Sequence, residues 1–328
     1  MNRPLKLLSN VELTNHFPGR LEIARLPATG GRPSGFVMLA DLVRAYAGAD
    51  RILVFNADAI HAAAAVFAKA INHRLGVFFY DTNLRRPESV RERLLALIKR
   101  VLFRAVDGFL VMHKDTSAYS EWFGISEDKF RYVPFKANNF EFAGQVPTSD
   151  GNYIFAGGAS YRDVNCLIDA VRDLAMPVRL VLPPEDVARI HHTPSIKGPV
   201  PEHVTVIRQF GMRESWNELL ANSTIVVVPV VDRCIQPAGI SVYLEAMALG
   251  KPVVISRGPS TNGLISEDIA GLYRAGDSKD LGRALRKMIE NAEYRARIAE
   301  RGRQYALSLG GADRLSKDLQ AIMLEGRP

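Results

Sequence analysis

Cysteine is scarce in this chain of 328 residues. There are two, Cys166 and Cys234, and their spacing matches no metal or redox motif. A disulfide framework is excluded, and free thiols in a cytoplasmic protein are the expectation. Long hydrophobic runs are missing too. The most apolar helical segment, 59–71, is too short to span a bilayer and contains His61 and Lys69. The first ten residues, MNRPLKLLSN, lack the apolar centre of a signal peptide. The seven histidines form no cluster with Asp, Glu or Cys at metal-ligand spacing. There is no Asp-x-Asp to clamp a metal-bound diphosphate and no Gly-x-Ser-x-Gly nucleophile elbow. No strand is followed by the Gly-x-Gly-x-x-Gly of a dinucleotide-binding dehydrogenase. Repeats and low-complexity tracts are absent as well.

What remains is ordinary globular material, 47% hydrophobic and 23% charged. The length suits two domains of about 150 residues each. A polar stretch rich in Gly and Pro, 143–152, reads as the linker. The expected division is 1–148, 149–306 and a C-terminal helix, 307–328, packing back on the first domain.

Each half alternates short β-branched or apolar runs with helical periods. In the first half, strands are expected at 21–26, 51–55, 76–80, 107–112 and 130–133, and helices at 36–46, 59–71, 87–105 and 116–123. The region 28–35 reads as a loop, and no strand is assigned before it other than 21–26. In the second half, strands are expected at 153–156, 178–182, 203–207, 224–228 and 253–255. Helices are expected at 163–174, 214–221, 242–249, 280–292 and 294–306. Such alternation predicts an α/β chain of two Rossmann-like, doubly wound parallel sheets.

The most informative stretch follows the buried run 224–228. A loop with Pro237, Gly239 and Ser241 leads into an apolar helix ending at Gly250, and then a new strand begins. Ligands of open parallel sheets bind at the carboxyl ends of strands near helix N-termini. Gly239, Ile240 and Ser241 are therefore expected to offer backbone amides to phosphate or sugar oxygens. Glu245 is the one charge in this helix and is expected to accept hydrogen bonds from ribose hydroxyls. A second small-residue turn, Gly157-Gly158-Ala159-Ser160, precedes Arg162, whose guanidinium suits a diphosphate. A surface Arg beside Asp163 is the plainer alternative. Phe210 and Met212 stand in a strand-to-helix loop, where Phe210 serves either as core or as cover for a base.

The run LEAMALGKPVV, from Leu244 to Val254, resembles the C-terminal signature of GT-B glycosyltransferases, in particular the retaining family four group. The likeness extends over 36–306. It implies two Rossmann-like domains facing across a cleft, the second holding a UDP- or GDP-sugar and the first an acceptor. It implies a hexosyltransferase retaining configuration, without metal or other cofactor, in polysaccharide or glycolipid assembly. Glu245 falls on the family's ribose-binding Glu, Arg162 on its diphosphate-binding basic residue, and Phe210 and Met212 on its base loop; Gly158 lies in the diphosphate turn. Arg162 and Glu245 are thus the expected catalytic pair. The family's other Glu has no counterpart: Pro237 stands there, or Gln236 with a one-residue insertion. The second basic residue is replaced by Ala156 and Gly157. A non-catalytic scaffold and a 2-epimerase-like enzyme remain open on these residues.

The net charge of +7 is concentrated. Arg85, Arg86, Arg91, Arg93, Lys99, Arg100 and Arg104 face only Glu88 and Glu92 within 85–104. On a helical wheel, Val90, Leu94, Leu97, Ile98 and Val101 share one face, with Arg93, Arg100 and Arg104 on its flank. The ordinary reading packs that face into the core. The alternative is contact with an anionic membrane or lipid-linked acceptor at the inner surface of a membrane. Nucleic acid is not expected, because no basic platform interleaved with aromatics is present.

Overall fold

The computed structural model describes residues 3–26 and 35–325. The expected loop 28–35 lies outside the described residues apart from Gly35, as do the last three positions of the expected C-terminal helix. Two compact units are present, residues 3–134 with 313–325, and residues 135–312.

The first unit runs β1 (Leu5–Ser9), β2 (Leu21–Arg25), α1 (Gly35–Ala47), β3 (Arg51–Phe55), α2 (Ala59–Ile71), β4 (Gly76–Tyr80), α3 (Val90–Leu102), β5 (Gly108–Val111), α4 (Ser117–Phe123) and β6 (Phe130–Tyr132). Its sheet has the order β2-β1-β3-β4-β5-β6 and is parallel throughout. Strand β1, unassigned from sequence, sits inside the sheet, with Leu7 opposite Ile23 and Leu8 opposite Ile52. Ile52, Leu53, Val54, Val77 and Phe79 are fully buried, each contributing about 1.5–3 kcal/mol of transfer free energy. Phe79, Phe103 and Phe109 meet edge to face, with centroids 5.3–6.4 Å apart.

The second unit runs β7 (Ile154–Gly157), α5 (Val164–Val171), β8 (Val178–Leu182), α6 (Glu185–Ile190), β9 (Val204–Arg208), α7 (Arg213–Ala221), β10 (Ile225–Val228), α8 (Ile240–Ala248), β11 (Val253–Ser256), β12 (Gly271–Tyr273), α9 (Ser278–Glu290) and α10 (Ala292–Ser308). A final helix, α11 (Ala312–Glu325), belongs from Asp313 onward to the first unit. There Gln320 Nε2 donates to Thr14 O at 2.6 Å, and Arg314 Nη2 to Pro134 O at 2.8 Å. The second sheet, β12-β11-β10-β7-β8-β9, is also parallel. Its order reverses between β7 and β10, where such sheets bind ligands. Among the described residues no helix is long and apolar enough to cross a membrane.

Two expectations change. The boundary falls at 134/135 and not at 148/149. Far from being a free linker, 143–152 is tied to the second unit: Gly151 N donates to Asn222 O at 2.8 Å, and the buried Lys251 Nζ to Ser149 O at 2.8 Å and Ser223 O at 2.9 Å. The second change concerns α3. It starts at Val90, three residues later than expected, because Ser89 and Glu92 form a reciprocal capping box. Its apolar face does not pack into the core. Val90, Leu94, Leu97, Ile98 and Val101 are all exposed, and Ala96 is the helix's one buried side chain.

Candidate functional site

The chain leaves β7 through Gly157 and Gly158, and side-chain approach dictates both glycines. A Cβ on Gly157 would stand 2.8 Å from Trp216 Cζ3. A Cβ on Gly158, at φ +124°, would collide with Arg162 Nη2. The turn is braced from the end of α6. Thr193 Oγ1 donates to Ala159 O at 2.6 Å and accepts from Arg162 N at 3.0 Å. His191 Nδ1 lies 3.1 Å from Ser160 Oγ, and the His192 ring stacks on Tyr161 at 5.2 Å.

Arg162 is buried, at 3% exposure. Its Nε donates to Gly157 O at 2.8 Å and its Nη1 to Ser160 O at 2.7 Å. No carboxylate pairs with it among the described residues. Burial pushes its pKa down to about 10, so the group remains a cation at neutral pH. A buried cation without a counter-ion is costly and creates a place for an anion. The plainer alternative, a surface Arg, is ruled out by this burial.

From β10 the chain enters α8 through Gly239, left-handed at φ +90°. A Cβ there would lie 2.6 Å from Val228 Cγ1. Gly239 carries no capping side chain, so first-turn amides of α8 remain available as anion donors. The Ile240 amide is partly used by Pro237 O at 3.4 Å. Glu245, one turn further on, is 9% exposed. Its Oε1 accepts from Asn138 Nδ2 at 2.7 Å and its Oε2 from Trp216 Nε1 at 3.3 Å. Asn138 is held in turn by Lys136 Nζ at 2.9 Å, and Asn139 Nδ2 donates to Glu245 O at 3.1 Å. Both oxygens retain lone pairs for further donors.

A cavity of about 350 Å³ lies between these parts of the second unit. Gly158 and Ala159 form one wall and Ser241, Val242 and Glu245 another. Gln209 to Arg213, with Trp216 and Asn217, close the third. Five expected residues, Gly158, Phe210, Met212, Ser241 and Glu245, therefore come together. Arg162, Gly239 and Ile240 do not line the cavity: Ile240 is buried, and the Arg162 guanidinium lies behind Gly158. Phe210 is 57% exposed, which excludes the core role; it lines the cavity with its ring centroid 6.0 Å from that of His191. Sequence reasoning missed Asn138, Arg213 and Trp216. Among the described residues Arg213 is the one cation in the cavity lining, and its Nη2 donates to Asn138 O at 3.4 Å. Trp216 had one visible signal, as one of two tryptophans in the chain. Asn138 had none.

The sheets and the site define a class, the two-sheet Rossmann-like architecture called GT-B, with a cavity at the switch point of the second sheet. The family profile "Glycosyl transferases group 1" matches residues 195–305, within that second unit. A search of curated proteins gives no match. Among solved structures, HepE of Anabaena in complex with UDP-glucose has a TM-score of 0.70 at 15% identity, covering 98% of this chain and 100% of that one. HepE in complex with UDP has a TM-score of 0.69 at 16% identity, covering 94% and 86%. Sucrose-phosphate synthase of Thermosynechococcus elongatus has a TM-score of 0.62 at 15% identity, covering 95% and 85%. These structural likenesses establish the GT-B fold, and the likeness to the glycosyl transferases group 1 profile is confined to residues 195–305.

Proposed function

We propose that the protein is a glycosyltransferase that moves a hexosyl group from a nucleoside diphosphate sugar to an acceptor hydroxyl. The observation that carries this reading is Glu245. Its carboxylate is fixed by Asn138 and Trp216 at the wall of a cavity that also presents the Ser241 end of an uncapped helix. In this reading Glu245 accepts from the ribose hydroxyls, and Phe210 and Met212 cover the base. The diphosphate lies against Gly158 and the first turn of α8, with the buried charge of Arg162 behind the glycine. Arg213 adds a cation on the open side. These groups would stabilise the departing diphosphate without a metal ion. The UDP and UDP-glucose in the HepE complexes suit the same donor class. Retention of configuration, a lipid-linked or glycan acceptor, and a place in polysaccharide or glycolipid assembly complete the proposal.

The test is a panel of UDP- and GDP-sugars scored first by thermal shift and then by acceptor-dependent release of nucleoside diphosphate. Stabilisation by one nucleotide sugar, with release once glycan or lipid-linked acceptors are added, is expected. No shift with any nucleotide at millimolar concentration overturns the reading. One feature favours a second reading, a binding scaffold: Gln236 and Pro237 occupy the place of a carboxylate, and both are buried. Thermal shift without release under any acceptor identifies that case.

A further inference from the structure

Helix α3 is mounted with its apolar side outward. Val90 is 75% exposed, Val101 59% and Leu97 57%, and Leu94 and Ile98 complete the row. The side turned to the protein carries Ala96, with Glu92 and Lys99 beside it. Soluble helices have the reverse arrangement, and a contiguous exposed apolar row marks an interaction surface.

The charges beside the row indicate what it meets. At about 100° per residue, Arg93 and Arg100 border it on one edge and Arg91 on the other. All three are exposed. Arg91 and Arg93 pair with no carboxylate among the described residues. Further back, Arg85, Arg86 and Lys99 surround a recess of about 90 Å³ beside Leu95 and Phe123. Arg86 lies 5.7 Å over the Trp122 ring and Lys99 5.8 Å over Phe123. Glu92 also reaches the recess, but its carboxylate is committed to the amides of Glu88 and Ser89. An apolar row rimmed by arginine is the pattern of a helix that lies in a lipid interface. A second copy of the chain is a poor occupant, because like charges on the two rims would face each other.

We propose that α3 docks this protein on an anionic phospholipid surface, with Val90, Leu94, Leu97, Ile98 and Val101 entering the interface and the bordering arginines meeting lipid phosphates. The inference is independent of the donor-site reading, since docking is measured without nucleotide.

The experiment is flotation of the full chain with vesicles of phosphatidylcholine alone and of phosphatidylcholine with phosphatidylglycerol, at low and high salt. Binding is expected only with phosphatidylglycerol and is expected to fall with salt. Leu97→Asp with Val101→Asp should abolish it. Arg91→Ser with Arg93→Ser should weaken it by about fivefold per charge. These positions are exposed, and an unchanged far-UV spectrum and melting temperature verify the fold of each variant. Absence of binding to phosphatidylglycerol vesicles at low salt overturns the proposal. So does binding that is equal without anionic lipid, or that survives Leu97→Asp with Val101→Asp. A dimer in light scattering that the aspartates convert to monomer, with no vesicle binding, assigns the face to a second copy and likewise overturns it.

Discussion

Asn138 Nδ2 donates to Glu245 Oε1 at 2.7 Å across 107 positions of sequence. The bond fixes the carboxylate on one side while Trp216 Nε1 fixes it on the other. A loop and two helices of the second unit thus hold this carboxylate at the cavity.

The first prediction concerns that carboxylate. Glu245→Gln should keep the fold and weaken nucleotide binding by about 1.5–3 kcal/mol, the range for a hydrogen bond to a charged group. Asn138→Ala should weaken it less, and the double variant should lose less than the sum, because Asn138 acts through Glu245. Isothermal titration with UDP and GDP measures both. Unchanged affinity in a folded Glu245→Gln variant contradicts the assignment.

Arg162 should discriminate between ligands. Arg162→Met removes donors from Gly157 O and Ser160 O and should cost about 1–3 kcal/mol of stability. Loss of the buried charge should also weaken nucleoside diphosphates while leaving nucleosides unaffected. Equal effects on UDP and uridine, or on GDP and guanosine, would assign Arg162 to bracing the turn alone.

Gly239 is held to glycine by both its backbone and its neighbour. Gly239→Ala should destabilise by about 1–3 kcal/mol, combining left-handed strain with the approach to Val228. Gly198 has φ +75° with open space around it, so Gly198→Ala should cost only the strain, about 1 kcal/mol. Chemical denaturation of the pair separates the two contributions; equal losses contradict the steric one.

Two groups of the first unit should give opposite pH slopes. Protein surrounds Asp81 closely enough to push its carboxyl up to about 7, although one edge stays accessible. Between about pH 4 and 7 the unfolded chain releases this proton and the folded chain keeps it, so stability falls as pH rises through that window. Burial pushes the His113 ring down to about 4, and neither ring nitrogen has a hydrogen-bond partner among the described residues. Between about pH 6.5 and 4 the unfolded chain takes up a proton that the folded chain refuses, so stability falls as pH drops. The slopes oppose each other in the native chain. Asp81→Asn should therefore leave stability rising from about pH 4.5 to 6.5, and His113→Phe should leave it falling over the same interval. Urea unfolding across that range tests both, and unchanged slopes would refute the assignments.

Local pattern made much of this protein legible. The buried runs of β3, β4, β8 and β10 are short and β-branched or aromatic, and each is flanked by turn residues, so every one was placed within a residue or two. Glu245 stood out because charge inside an apolar helix is visible without knowing its neighbours. Strand β1 was missed because Leu-Lys-Leu-Leu-Ser is neither β-branched nor strictly alternating; its position between β2 and β3 makes it a strand. The unit boundary was misplaced because 143–152 is polar and rich in turn residues, and the bonds that tie it to Asn222 and Lys251 are invisible in its composition.

The sequence alone determined the alternation of elements, the parallel class of both sheets, and the presence of a carboxylate and glycine turns at strand ends. These follow from backbone periodicity and steric preference, which act over a few residues. Tertiary structure alone decided which groups meet at the cavity. Asn138, Trp216 and Arg213 reach Glu245 or its surroundings only once distant segments pack together. It also decided how α3 is turned. A period of 3.6 residues specifies that an apolar stripe exists and says nothing of its direction. Rotation of the helix about its axis is set by what anchors it, and here Ala96 and the buried Phe103 leave the stripe facing outward.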